Sequence, residues 1–357
     1  RTALSRLAAA AMSTHALPSA GPLFIVGPSR SGTTLLAYLL SAHPRIAIGV
    51  ETHFFSLWAR LFAHEDLASD AGLKRFWHAF GQSQIFRSLG LDAAATHEAM
   101  SAARPRDLRS CFTALMELYT AKHGRARWGE KTPRHIECID EILRWYPTAT
   151  ILVLLRDPRA VAASARSTPY MNHSVAYQSA LWNRAMACYE ALQHDPRLCL
   201  VRYEELVQEP ERVLRGICAR IGEPFDAAML THGSHATARE WERVYLNVWD
   251  QQHAAQSRSA ITQEPIDRWK KKLTLRQVAL IEAITRQRMQ HYSYEPVSHQ
   301  AVSQAKSLAL RSLGHAGNWR MLTHPDLWQT LRHAPSMTSL LHSAKLYLPR
   351  LERNADK

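Results

Sequence analysis

The chain is short of cysteine and of long apolar runs, and both shortages exclude classes of protein. Its 357 residues include 5 cysteines, which are scattered and never form a C-x-x-C pair. Dispersed, odd-numbered thiols argue against a zinc site and against a disulfide framework, and they fit a reducing compartment. No stretch approaches the length of about 18 apolar residues at which a membrane-spanning helix is expected. We therefore predict a cytoplasmic globular protein, with an N-terminal leader left open.

Acidic residues are also scarce relative to basic ones. The chain carries 44 Lys and Arg against 31 Asp and Glu, a formal net charge of +13, and its pI is about 9.8. Such an excess indicates an anionic partner, which a polyanionic cofactor, a nucleic acid or an acidic membrane surface would each satisfy. The length allows one α/β domain with a sizeable core and an appendage.

The two ends of the chain differ in character from its middle. Residues 1–21 are rich in Ala, Ser and Arg and contain no acid, which is typical of a disordered arm or of a leader remnant. Residues 298–357 are predicted to be a basic helical extension, with 8 Lys and Arg against 3 Asp and Glu over 301–357. Such an extension either packs as terminal helices on its own domain or contacts a membrane surface or a partner.

The stretch that most indicates function is LFIVGPSRSGTT, at residues 23–34. An apolar run that ends at Val26 predicts a buried strand, and the residues from Gly32 onward predict a helix. A small-residue turn between them makes an anion cradle, because backbone N–H groups and the helix N-terminus point at the same place. Four side chains can add hydrogen bonds or charge to that cradle: Arg30, Ser31, Thr33 and Thr34.

This turn resembles a P-loop without being one. The Walker A pattern G-x-x-x-x-G-K-[ST] matches at Gly27, Gly32 and Thr34, but Thr33 stands where the lysine belongs. Because that lysine reaches the β/γ-phosphates of a nucleoside triphosphate, its absence argues against an ATPase or GTPase. Two other interpretations stay open: a nucleotide kinase or NTPase with a degenerate loop, and a non-catalytic nucleotide-binding protein.

Strand and helix patterns alternate from residue 22 to residue 225, which predicts an α/β protein with a mostly parallel sheet covered by helices. Residues 54–124 form an irregular helical insert, whose aromatic residues either build a core or line an acceptor pocket. Predicted strands lie at 46–48, 127–132, 150–155 and 198–202, and predicted helices at 108–122, 134–146 and 173–194.

The segment Ser29-Arg30-Ser31-Gly32-Thr33-Thr34 resembles the P-[RK]-S-G-T-T loop of the sulfotransferases. In that family the loop binds the 5′-phosphosulfate of 3′-phosphoadenosine 5′-phosphosulfate (PAPS). The resemblance extends over about residues 22–290 and points to bacterial enzymes related to the protein-tyrosine sulfotransferases. It implies a P-loop-like three-layer fold, a sulfotransferase domain of residues 22–297, a bacterial source, PAPS as co-substrate and no metal.

Glu51 is the candidate general base. Taken alone, an acid just before a helical stretch is typical of a helix N-terminus, where it meets the helix dipole. The stretch from Ala42-His43-Pro44 to Glu51-Thr52 resembles the A-H-P…E-E-T stretch of the protein-tyrosine sulfotransferases. That resemblance implies that Glu51 takes the proton of the acceptor hydroxyl. The family's following arginine is His53 here, and its preceding glutamate is Val50.

Lys131 is the candidate for neutralising charge on the transferred group, together with Arg30. The segment Gly129-Glu130-Lys131-Thr132-Pro133 resembles the E-K-T-P stretch of bacterial sulfotransferases, which implies this role. The alternative is a surface salt bridge between Lys131 and Glu130.

Arg156 and Ser164 are the candidates for the 3′-phosphate. They follow the predicted strand TILVLL, and their spacing resembles the family's site for that group. A guanidinium suits a dianionic phosphate because its planar fork donates two parallel hydrogen bonds. Tyr203 resembles the nucleotide-contacting tyrosine of the family's R-Y-E-x-L stretch. Arg268 resembles the basic residue before a tryptophan that ends the mobile loop, with residues 257–259 inside that loop.

Together these residues predict a PAPS-dependent sulfotransferase that modifies a hydroxyl or an amine. Glu51, Lys131 and Arg30 are its predicted catalytic residues. The acceptor is predicted to be a small molecule, a glycan, a lipid or a peptide, and not a nucleic acid. The identity of the acceptor and the oligomeric state stay open.

Overall fold

Five strands form one sheet at the centre of the protein. A computed structural model describes residues 21–168, 171–234 and 261–298, and the sheet lies within these ranges. The strands are β1 (Leu23–Val26), β2 (Ile46–Ile48), β3 (Arg127–Lys131), β4 (Thr150–Leu155) and β5 (Leu198–Arg202). Their order is β2-β3-β1-β4-β5, and every neighbouring pair is parallel, which confirms the predicted α/β class.

Burial explains why the two central strands are apolar at every position except Thr150. β1 and β4 lie side by side, with Leu23 opposite Thr150 and Val26 opposite Val153. Every residue of both strands is buried. A parallel strand covered on both faces has no solvent side, so its sequence is a continuous apolar run and not an alternation.

Helices connect the strands and cover the sheet, with a π-helical turn at Phe54–Trp58 and 3-10 turns at Pro133–Cys138 and Ala227–Ser234. In chain order the helices are α1 (Thr33–Ser41), α2 (Ala59–Leu61), α3 (Asp70–Gly81), α4 (Gln84–Leu89), α5 (Ala93–Ala102), α6 (Leu108–Lys122), α7 (Ile139–Trp145), α8 (Pro158–Arg166), α9 (Val175–Glu190), α10 (Tyr203–Gln208), α11 (Pro210–Ile221), α12 (Glu264–Lys272) and α13 (Leu275–His291). Helix α6 packs on β2 and β3, and α8 packs against α9 and α12.

Residues 54–124 are mostly helical, and their buried aromatic side chains belong to the main core of the protein. Four helices of this segment begin at a capping side chain, which accepts a hydrogen bond from the backbone N–H three residues later. These caps are Ser69, Ser83, Asp92 and Asp107. The core interpretation of the aromatic residues is confirmed, since four of the rings are buried: Trp58, Phe62, Phe76 and Phe80.

Two predicted helices differ from the structure in their bounds. The stretch 134–146 begins as a 3-10 turn and becomes α-helical only at Ile139, because Cys138 has a non-helical φ of −125°. The stretch 173–194 is helical over Val175–Glu190, where the Ser174 hydroxyl caps the first turn. Hydrophobic periodicity does not encode such caps and kinks, so it places helix ends only approximately.

Some predictions fall on residues outside the described ranges. They concern residues 1–20 of the N-terminal arm, the loop residues 257–259 and residues 299–357 of the basic extension. Of the helices just given, none is both long and apolar enough to cross a membrane. Within the described ranges, no three His, Cys, Asp or Glu side chains are grouped so as to hold a metal ion.

Candidate active site

The loop after β1 leaves the start of α1 without a side-chain cap. The backbone N–H and the hydroxyl of Ser31 both donate to the Pro28 carbonyl, at 3.2 and 2.5 Å, and close the turn. Arg30 and Gly32 have left-handed φ angles of 71° and 98°. Gly32 is the N-cap of α1 and offers it no side chain. Because the first N–H groups of a helix have no intrahelical acceptor, this end of α1 can receive an anion.

Replacing Gly32 by alanine is expected to lower stability more than the same change at Gly124. The two glycines have φ angles of +98° and +61°, a region that costs another residue type about 1–2 kcal/mol. A Cβ at Gly32 would overlap the ring of Tyr203, whereas a Cβ at Gly124 meets nothing within 4 Å. Thermal unfolding of both variants measures the difference, and equal losses would contradict a tight contact between the loop and Tyr203.

Arg156, directly after β4, connects this loop to helix α12 through hydrogen bonds. Its Nη1 donates to the Arg30 carbonyl at 2.9 Å, and its Nη2 donates to the Pro265 carbonyl at 2.7 Å. The guanidinium lies 4.1 Å from the centre of the Tyr203 ring. Its third nitrogen, Nε, is buried and has no hydrogen-bond partner among the residues that the structure describes. A cation with one unused buried donor therefore lies against the loop.

Ser164, in the last turn of α8, contacts the same loop. Its hydroxyl accepts a hydrogen bond from Arg30 Nε at 3.1 Å. Four residues that the sequence predicted for nucleotide binding are thus neighbours in the structure: Arg30, Arg156, Ser164 and Tyr203.

Lys131, the last residue of β3, lies between the loop and Glu51. Its Nζ donates to Glu51 Oε1 at 2.6 Å and to Thr34 Oγ1 at 3.4 Å. The Lys131 side chain is 0% exposed, whereas that of Glu51 is 31% exposed. The alternative of a surface salt bridge between Lys131 and Glu130 is wrong, because Lys131 is buried and forms its ion pair with Glu51.

The neighbours of Glu51 favour its ionised form. Burial alone would raise the pKa of Glu51, but the interactions with Lys131 and His53 outweigh burial, and the pKa is lowered. His53 Nε2 lies 3.5 Å from the second carboxylate oxygen of Glu51. Burial lowers the pKa of His53, which favours a neutral imidazole at that distance. The site therefore presents a carboxylate beside a buried ammonium.

Arg268 lies at the edge of this group, close enough to interact electrostatically with Tyr203. It belongs to α12, where its guanidinium pairs with Glu264 one turn earlier and is 42% exposed. Pro265 of the same helix contacts Arg156, so α12 adjoins the site through its backbone. A role for Arg268 in nucleotide binding stays a prediction.

The sequence did not indicate a buried network that anchors the start of α8. Arg159 pairs with Asp157 and with Glu282, each at 2.7 Å, and its guanidinium lies 4.3 Å from the centre of the Trp269 ring. Glu282 lies on α13 and is 123 residues from Arg159 along the chain. No local pattern encodes a contact of that span.

Glu130 was also missed as a functional candidate. It is fully buried behind Lys131 and accepts hydrogen bonds from Thr52, Thr132 and His135. A signal for it was available, because successive residues of a strand point to opposite faces, so Glu130 and Lys131 cannot share one environment.

Known proteins that resemble this chain include members of one enzyme family. A family model described as the sulfotransferase family matches residues 22–227. Nodulation protein NoeE of Sinorhizobium fredii is 25% identical over 281 residues, which cover 72% of this chain and 62% of that protein. Protein-tyrosine sulfotransferase 1 of Danio rerio is 28% identical over 223 residues, which cover 59% of this chain and 55% of that protein. The chain thus spans less than two thirds of the length of these relatives.

Solved structures show the same fold. The sulfotransferase domain from the curacin biosynthetic pathway superposes with a TM-score of 0.53 at 20% identity, covering 78% of this chain and 99% of that one. The sulfotransferase domain of the Synechococcus PCC 7002 olefin synthase gives 0.50 at 20% identity, covering 84% of this chain and 97% of that one. These likenesses confirm the predicted P-loop-like arrangement of a parallel sheet flanked by helices.

Proposed function

The chain belongs to the sulfotransferase family, and from this we propose that it transfers a sulfuryl group from PAPS to a hydroxyl or amine. The observation that carries the proposal is the position of Lys131. Its ammonium contacts both the Thr34 hydroxyl at the start of α1 and the Glu51 carboxylate. Lys131 thereby places the anion-binding loop next to the Glu51 carboxylate. A sulfuryl transfer needs such a site for the donor and a base for the acceptor side by side.

The residues around the loop fit PAPS. The uncapped start of α1, with the side chains of residues 29–34, would hold the 5′-phosphosulfate. Arg156 and Ser164 would hold the 3′-phosphate, and the unused buried Nε of Arg156 is a donor that a phosphate oxygen can satisfy. Tyr203 packs against Arg156 and Gly32, and so would border the bound nucleotide. When bound, PAPS supplies a sulfuryl group attached to a phosphate that is a good leaving group.

Three charged residues perform the proposed chemistry. Glu51 removes the proton from the acceptor hydroxyl, a role that its lowered pKa supports by keeping it ionised near neutral pH. Lys131 and Arg30 stabilise the negative charge on the oxygens around the transferred sulfur. Because Lys131 is buried, its ammonium acts at low local dielectric and loses no energy to reorganisation as charge develops.

The acceptor reaches Glu51 where the site is open to solvent. The side chains of Glu51 and His53 are 31% and 39% exposed, whereas Trp58 and Phe80 are buried in the main core. The latter two rings are therefore unavailable to an aromatic acceptor. The relatives named above include enzymes for protein tyrosine and domains of biosynthetic pathways. For this chain we propose a hydroxyl or amine on a small molecule, glycan, lipid or peptide.

Calorimetric titration with 3′-phosphoadenosine 5′-phosphate (PAP), ADP and ATP tests the nucleotide assignment. We expect PAP to bind without added metal and in preference to the other two. Replacing Arg156 by alanine is expected to weaken PAP binding about 10- to 100-fold, since a hydrogen bond to a charged group is worth about 1.5–3 kcal/mol.

The control for this titration is Arg144→Ala, which removes an exposed arginine of α7 and should leave PAP affinity unchanged. Preference for ATP with Mg²⁺ would contradict the proposal and favour the kinase interpretation. Binding of PAP without any consumption of PAPS across an acceptor screen would favour a non-catalytic nucleotide-binding protein.

A further inference from the structure

We propose that Glu130 is a positioning residue, which holds the segment carrying Glu51 in register with Lys131. The inference rests on the proposed function, because it concerns the base of that reaction. Each residue of the segment 51–53 contacts one residue of the segment 130–132. Lys131 pairs with Glu51, Glu130 with Thr52, and Thr132 with His53. We call this set of three contacts the 51–53 clamp.

The clamp holds the segment from both faces of β3. Neighbouring residues of a strand point to opposite faces, and the contacts of Lys131 and Glu130 follow that rule. On the face of β3 that is turned towards the loop, Lys131 forms an ion pair with the Glu51 carboxylate. On the opposite face of β3, the Glu130 carboxylate accepts hydrogen bonds from Thr52 and His135. The direction of the Glu51 side chain is therefore set by two residues of one rigid strand.

Glu130 can serve as an anchor because its carboxylate is well satisfied. One oxygen accepts hydrogen bonds from the Thr52 N–H at 3.2 Å, from the Thr52 hydroxyl at 2.9 Å and from the Thr132 hydroxyl. The other oxygen lies 2.9 Å from His135 Nδ1. A buried carboxylate is costly without such donors, so the four donors and Glu130 fix each other's positions. The lowered pKa of Glu130, to which His135 and both threonines contribute against the effect of burial, agrees with a buried anion.

The third contact holds a strained piece of backbone. His53 has a left-handed φ of 49°, which a residue with a side chain adopts at a cost. Its N–H donates to Thr132 Oγ1 at 3.3 Å, and its carbonyl accepts from the Leu57 N–H at 2.8 Å. These bonds keep the chain in the sharp bend that directly follows Glu51. Without them the bend can relax and carry the carboxylate away from Lys131.

Glu130 also acts on Glu51 through charge. Its carboxylate is one of the groups that raise the pKa of Glu51, against the larger lowering effect of Lys131. Removing the Glu130 charge alone would therefore lower the pKa of Glu51 further, whereas moving Glu51 away from Lys131 would raise that pKa by more. Removing a residue that acts only through its charge would lower the pKa of Glu51, and removing a positioning residue would raise it, so the pH profile separates the two roles.

The test uses Glu130→Gln and Thr132→Val in the full chain. Hydrogen exchange of the Thr52 and His53 amides, measured without nucleotide, reports whether each contact is weakened. Hydrolysis of PAPS to PAP with water as the acceptor reports catalysis, and calorimetry reports PAP affinity. We expect faster exchange at Thr52 in the first variant and at His53 in the second, with unchanged PAP affinity. The turnover number should fall by up to about 100-fold, since a misplacement of about 1 Å can have that effect.

The pH profile of Glu130→Gln adds a second readout. The acid limb of its turnover should move to higher pH than in the wild type, because Glu51 loses part of its contact with Lys131, whose lowering effect on the Glu51 pKa is larger than the raising effect of Glu130. The control is Glu223→Gln, the same change in a mostly buried glutamate that pairs with Arg45 and Arg127 at the opposite end of β3. It should share any loss of stability while keeping turnover and pH profile unchanged.

Unchanged exchange at both amides would overturn the proposal, and so would faster exchange with wild-type turnover. A loss of turnover that is matched by an equal loss in Glu223→Gln would overturn it as well, since the effect would then be general. A wild-type chain that neither binds PAP nor consumes PAPS would overturn the proposed function itself, and the positioning role with it. The exchange data, which need no nucleotide, distinguish that failure from a failure of the clamp.

Discussion

The variant Glu51→Gln is expected to lose about 10²- to 10⁴-fold in turnover number, the range that general bases contribute. Glutamine keeps the shape of the side chain and an oxygen that can accept from Lys131, but it cannot take a proton. Affinity for PAP should stay at the wild-type value, because the hydrogen bonds of Glu51 in the described part of the chain reach the loop through Lys131. The acid limb of the pH profile, which we assign to Glu51 because Lys131 lowers its pKa against the effect of burial, should disappear.

The measurement is PAP release from PAPS, with water alone and with any acceptor that a screen with labelled PAPS identifies. Glu223→Gln again serves as the matched control, since it loses a glutamate charge far from the loop. Full turnover in Glu51→Gln at unchanged PAP affinity would remove Glu51 as the base. The next candidate would then be His53, whose ring lies 3.5 Å from Glu51.

The variant Lys131→Met is expected to lose about 10²- to 10³-fold in turnover number, as expected for a preorganised donor aimed at developing charge. Methionine fills a similar volume without the ammonium, and a buried position accommodates an apolar chain. The acid limb should move to higher pH, because Lys131 lowers the Glu51 pKa by its charge and by its hydrogen bond. Activity that requires an ionised Glu51 is then lost at a higher pH than in the wild type.

Rates of Lys131→Met are compared with those of Lys74→Met, which removes an exposed lysine of α3. Combining Lys131→Met with Glu51→Gln supplies a further check, because residues in direct contact are not additive. We expect the double variant to lose less than the product of the two single losses. Strict additivity, or an acid limb that does not move in Lys131→Met, would show that the two side chains act independently.

The sequence predicted those parts of the fold whose signal is local. The runs LFIV and TILVLL mark strands buried on both faces, and both lie where the structure has them. The helix Leu108–Lys122 was also predicted to the residue, since Asp107 is a strong cap and the periodicity is regular. The loop residues could be predicted for the same reason, because Gly32 and the small residues around it form one short pattern.

The partners across the site could not be predicted, and Lys131 shows why. Its neighbour in the sequence, Glu130, offered an obvious salt bridge, yet the two side chains point to opposite faces of β3. The carboxylate that Lys131 contacts is 80 residues away, and the residue that Glu130 holds is 78 residues away. Such contacts depend on strand order, which follows from packing of the whole sheet and not from any local pattern. The Arg159–Glu282 pair was missed for the same reason.

The pairing of β2 with β3 separates the reacting groups from the insert between them. Residues 54–124 leave the sheet soon after β2 and return at β3, which is its hydrogen-bonded neighbour, with Ile48 opposite Gly129. The distance between Glu51 and Lys131 thus depends on the interstrand spacing of about 4.8 Å and on the 51–53 clamp, and not on the length of the insert. The insert can therefore lengthen, shorten or exchange its surface without altering that distance. The geometry of the reacting pair is thus insulated from variation in the segment that joins its two strands.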